Sequence, residues 1–90
     1  MKPVRLSIHA SEQLHYRGIE EDEVFEVIRT SPWEPAKRGK IQASKEFLYQ
    51  NEWNKKFYSY KQVKPVFIEE KTEIVVITVY AYYFNTEVKA

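Results

Sequence analysis

Ninety residues make one domain, 1–90, and hydrophobic residues at 43%, with aromatics at 16%, supply its core. The absence of cysteine excludes a disulfide framework, thiolate zinc sites and cysteine nucleophiles. Fourteen basic against thirteen acidic side chains leave a net charge of +1, which excludes a uniformly basic surface and permits only a locally basic one.

The opening, Met-Lys-Pro-Val-Arg-Leu-Ser-Ile-His, lacks the apolar run of a signal peptide. No apolar run approaches the ~20 residues of a membrane span. With no cysteine, this predicts a cytoplasmic protein that does not engage a membrane. Ser7 is placed to cap a first helix over Ile8 to Arg17, and Gly18 to end it. At about 100° per residue, His9, Ala10, Gln13, Leu14 and Arg17 share one side of that helix. Ile19 then precedes Glu-Glu-Asp-Glu, an acidic start that complements a helix dipole. Ile19 and Val24 are spaced as a hydrophobic staple, and Val24, Val27 and Ile28 form the apolar stripe. Ser31-Pro32 stops this second helix near Thr30.

Pro32 to Gly39 reads as a loop. From Ile41 to Tyr49 apolar and polar residues alternate, as in a half-buried strand, with Lys45 on the apolar side. Asn51 to Lys56 reads as a turn. A second strand runs from Phe57 to Ile68, where Pro65 implies an edge or a bulge. Glu69 to Glu73 makes another turn. Ile74 to Phe84 is apolar on both faces, as in a strand covered on both sides or clamped in a homodimer. The expected fold is α+β, with two N-terminal helices on one face of an antiparallel sheet of three to four strands. Leu14, Val24, Val27 and Ile28 should pack on the last strand. Residues 5–84 form the ordered core and 85–90 a frayed tail.

Glu20 to Glu26 concentrates acid. Lys37, Arg38, Lys40 and Lys45, and then Lys55, Lys56, Lys61 and Lys64, concentrate base. This clustering predicts that acidic and basic residues segregate in space. His9 and His15 are six apart, about 120° around a helix, a spacing that does not suit a shared metal. No nucleophile elbow, Gly-rich dinucleotide turn or P-loop is present. The expectation is no metal and no cofactor. The remaining chemistry is cationic. His9 and Arg17 share a helix face, Lys45 and Lys61 lie on strands, and Tyr80 and Tyr82 share a face of the last strand. Cleavage of RNA by its own 2′-hydroxyl needs only an acid, a base and cations, all within reach of His, Tyr, Arg and Lys. The competing structural roles are packing for His9 and the tyrosines, capping or acid-pairing for Arg17, and snorkelling for Lys45 and Lys61.

His9-Ala10, Arg17-Gly18-Ile19 and the acidic Glu21 to Val24 resemble the opening of a prokaryotic family called domain of unknown function 4258. Lys61-Gln62-Val63-Lys64-Pro65-Val66 and Val76-Ile77-Thr78-Val79-Tyr80 resemble its last two strands, so the likeness spans residues 5 to 84. The resemblance implies a fold similar to RelE and ParE toxins. It implies a toxin-like protein paired with an antitoxin, with metal-independent cleavage of RNA. By that family's pattern His9, Arg17 and Tyr80 are the positions to watch; taken with the strand lysines, His9 and Tyr80 would be catalytic, and Arg17, Lys45 and Lys61 would hold phosphate. The alternative is a non-catalytic protein-binding module that keeps the toxin fold.

Overall fold

The computed structural model describes residues 1–85. Apart from Asn85, the expected frayed tail lies outside the described residues. Helix α1 (Ile8–Arg17) starts where Ser7 accepts the Ala10 N–H at 3.0 Å. It ends at Gly18, whose φ of +68° is left-handed. A Cβ there would lie 2.6 Å from Trp53 Cζ3 and 2.7 Å from the Tyr83 hydroxyl, so crowding as well as backbone requires glycine. Helix α2 (Glu21–Thr30) opens with a capping box in which the Glu20 N–H donates to Glu23 Oε1 at 2.9 Å. Ile19 and Val24 are both buried, as the staple spacing requires.

Six strands lie among the described residues: β1 (Val4–Leu6), β2 (Glu34–Pro35), β3 (Ile41–Gln42), β4 (Lys45–Trp53), β5 (Lys56–Glu69) and β6 (Ile74–Phe84). Their order in the sheet is β1-β6-β5-β3-β2, with β4 also paired to β5. The fold is therefore α+β as expected, but the sheet is mixed and larger than three to four antiparallel strands. β1 pairs β6 in parallel, Val4 opposite Ile74 and Leu6 opposite Val76. Three residues are too few to display period-two alternation, so β1 left no pattern to read. β2 holds only two residues, one of them Pro35, and sits inside the expected loop.

The expected first strand is split in two, and Pro65 accounts for the split. The Ala43 N–H donates to the Pro65 carbonyl at 3.3 Å, but proline has no N–H with which to return the bond. The ladder to β5 is interrupted there, between Gln42 opposite Val66 and Lys45 opposite Val63. Next to it, the β5–β6 register shifts between Val66 and Phe67, the bulge that proline implied. β4 also runs on to Trp53, through most of the expected Asn51–Lys56 turn. The reversal is confined to Asn54 and Lys55, both at positive φ, which is the two-residue hairpin geometry.

Ala10, Leu14, Val24, Val27 and Ile28 pack with Val63, Phe67, Ile74, Val76 and Val79 in one buried cluster. The helices thus cover one sheet face, and strand register decides what the other face carries. Lys61 opposite Tyr83, Val63 opposite Ala81 and Pro65 opposite Val79 lie on the covered face. Tyr60 opposite Phe84, Gln62 opposite Tyr82 and Lys64 opposite Tyr80 lie on the open face. β6 is flanked by β1 only as far as Val76. Beyond it, side chains of α1 hold the strand edge: Gln13 Oε1 accepts from the Val79 N–H at 2.8 Å, and Arg17 Nη1 donates to the Val79 carbonyl at 2.7 Å. Among the described residues no helix is long and apolar enough to cross a membrane.

Candidate functional site

The five residues expected to form one site fall into three places. Lys61 is buried, only 3% exposed, beneath the end of α1. Its Nζ donates to the Gly18 carbonyl at 2.9 Å and to Glu23 Oε1 at 2.8 Å. Lys45 donates to the Glu26 carboxylate and, at 3.3 Å, to the Thr30 hydroxyl. The expectation that acidic and basic residues segregate is therefore corrected. α2 lays its carboxylates over the covered sheet face, where strand parity points Lys45 and Lys61. Lys61 meets its carboxylate in the interior, whereas the Lys45–Glu26 pair is partly open to solvent.

Lys61 closes a compact network at the C-terminus of α1, where a cation complements the helix dipole. The Tyr83 hydroxyl donates to the Arg17 carbonyl at 2.6 Å. Burial, with Tyr49 and Glu23 close by, raises the Tyr83 phenol well above its ordinary range and keeps it a donor. Trp53 stacks on the Tyr83 ring with centroids 4.8 Å apart. Tyr83→Phe removes the hydroxyl shared between the Arg17 carbonyl and, at 3.3 Å, the Gly18 carbonyl, and leaves Lys61 on the Gly18 carbonyl. It should cost about 1 kcal/mol in urea denaturation.

His9 and Tyr80 lie apart from these two lysines. Both line an open groove of about 750 Å³ that crosses the uncovered sheet face. His9 reaches it from the exposed margin of the first turn of α1, and Tyr80 rises from β6. Arg17 meets Tyr80 in a cation–π contact, its guanidinium 5.4 Å from the ring centroid. It lines a second groove, with Tyr80 shared between the two.

The cations that line the first groove are Lys37, Arg38, Lys40 and Lys64. None of them takes part in an ion pair among the described residues; the paired cations are Lys2, Arg5, Lys45 and Lys61. Glu46 is on the same face of β4 but does not line the groove. Arg38 holds φ +59°, a left-handed conformation that a residue with a Cβ adopts at a cost. This strained residue lies in the turn (Lys37–Gly39) between β2 and β3, a turn closed by the Ala36 N–H on the Lys40 carbonyl at 2.8 Å. Such strain collects at functional sites. The open face also carries two stacked aromatic pairs. Tyr80 and Tyr82 have centroids 6.4 Å apart, and Tyr60 and Phe84 5.6 Å apart.

An imidazole and a phenol thus line one groove with four cations that enter no ion pair among the described residues. Among the described residues no three His, Cys, Asp or Glu side chains converge to hold a metal. Lys37, Arg38, Lys40 and Lys64 stand out in the sequence as basic clusters but not as site residues. Lys64 was legible, because it is three residues from Lys61 and so faces the other way in a strand. Arg38 was not, since its position depends on the β2–β3 hairpin. In comparisons with known proteins, no family model matches the chain, and neither a curated protein nor a solved structure matches it.

Proposed function

We propose that the protein is a toxin-like, metal-independent endoribonuclease that binds RNA on the open sheet face. The observation behind this reading is that His9 and Tyr80 share one groove with four cations lacking a carboxylate partner among the described residues. Lys64, Arg38, Lys37 and Lys40 hold the phosphates. His9 acts as acid or base, with Tyr80 assisting. One proton leaves the ribose 2′-hydroxyl as its oxygen attacks phosphorus, and one is delivered to the departing 5′-oxygen. The products are a 2′,3′-cyclic phosphate and a free 5′-hydroxyl. The resemblance to the toxin-fold family in the Arg17-Gly18-Ile19 turn and the last two strands adds an antitoxin partner to the proposal.

The test is incubation with single-stranded RNA in EDTA. Fragments ending in 2′,3′-cyclic phosphate are expected. Intact RNA under these conditions, with the protein folded, removes the enzyme reading. A second reading would then stand, a non-catalytic module that binds a protein partner through the same face. It is favoured by Leu48, 67% exposed opposite Tyr60, and Tyr82, 48% exposed, which extend that face with apolar surface.

A further inference from the structure

The second groove shares Tyr80 with the first, and its other lining residues have no part in the chemistry above. It is an open surface groove. Tyr16, Arg17, Trp53, Asn54 and Tyr80 line it. Three features give it the chemistry of a base-binding site. The first is aromatic surface, with Trp53 half-buried, Tyr80 39% exposed and Tyr16 76% exposed. The second is the Arg17 guanidinium, planar and held in place by its bond to the Val79 carbonyl and by the Tyr80 ring. The third is the Asn54 side-chain amide, which carries both donors and an acceptor, at the tip of the β4–β5 hairpin. The tip is fixed because Trp53 packs on Tyr83 and against Gly18.

We propose that this groove receives a nucleobase, preferentially a purine, from the nucleotide adjacent to the one held beside His9. Stacking surface favours the larger ring system, while the amide and guanidinium read its edge. Tyr80, shared by the two grooves, would then separate the base-reading side from the phosphate-holding side of one RNA strand. The proposal deepens the RNA reading and rests on it for the natural ligand, but binding and cleavage are measured separately.

The chain has two tryptophans, so Trp33→Phe leaves Trp53 as the sole indole reporter. Trp33 donates to the Ile28 carbonyl and meets Phe67 edge-on, so phenylalanine keeps the aromatic contact. Adenosine or guanosine 5′-monophosphate should quench this emission saturably, at about tenfold lower concentration than uridine 5′-monophosphate. Asn54→Gly, which suits the left-handed turn, should weaken the purine response about fivefold. The Trp53 indole N–H resonance in the unsubstituted chain gives the same reading without relying on the folding of Trp33→Phe. Absence of a saturable response to either purine nucleotide, or an equal response to uridine monophosphate, overturns the proposal. RNA cleavage without the response sinks the base site and leaves the enzyme standing. The response without cleavage supports the base site and removes the enzyme.

Discussion

Lys61→Met is expected to destabilise the fold by about 3–5 kcal/mol, the cost of removing one partner of a buried ion pair. The side chain is only 4% exposed and that of Glu23 only 21%, so water does little to screen the carboxylate left behind. The same substitution strips the Gly18 carbonyl of its 2.9 Å donor and removes the cation from the end of α1. Glu23 has a second duty, accepting the Glu20 N–H in the capping box. Glu23→Gln keeps that acceptor and loses the charge. The double variant Lys61→Met/Glu23→Gln should therefore recover a large part of the loss. Urea denaturation of the three variants checks this, and a Lys61→Met chain as stable as the parent contradicts the network. Lys61 is thus expected to act through stability, with any loss of RNA cleavage tracking the unfolded fraction.

His9→Ala is expected to behave in the opposite way. His9 is exposed on the first turn of α1, and its ring enters none of the described side-chain hydrogen bonds. Alanine is the best helix former, so the helix loses nothing by the change. Cleavage, however, should fall by ~10²–10⁴-fold, the usual contribution of a general acid or base. Thermal unfolding and RNA cleavage measured on one preparation separate the two roles. A destabilised variant with full activity per folded molecule would end the catalytic assignment.

What could be read from the sequence was local. Ser7 and Gly18 bound α1 because a cap and a left-handed stop act on their own neighbours. Pro65 announced a bulge because the missing N–H is a property of the residue itself. Lys45 stood out on the apolar side of its strand, and the structure puts it there. Its partner, Glu26, is 19 residues away, and that of Lys61, Glu23, is 38 away. No periodicity reports such pairings, and so acid and base were expected to separate. β1 was invisible for the same reason, since its hydrogen bonds reach across the chain to Ile74, Val75 and Val76. The groove was half legible. His9 and Tyr80 are legible from their chemistry. The cations around them follow from strand parity for Lys64 and from a strained hairpin turn for Arg38.

The central claim is that RNA lies on the open sheet face and not beneath the helices. The direct test is the salt dependence of RNA affinity in Arg38→Gln, Lys64→Gln and Lys45→Gln. Removing a cation that sits on a phosphate should weaken binding and lower the salt slope by about one. Arg38→Gln and Lys64→Gln are predicted to do so, and Lys45→Gln, whose charge is met by Glu26, to leave affinity and slope unchanged. A reduced slope in Lys45→Gln, with Arg38→Gln and Lys64→Gln like the parent, would contradict the account.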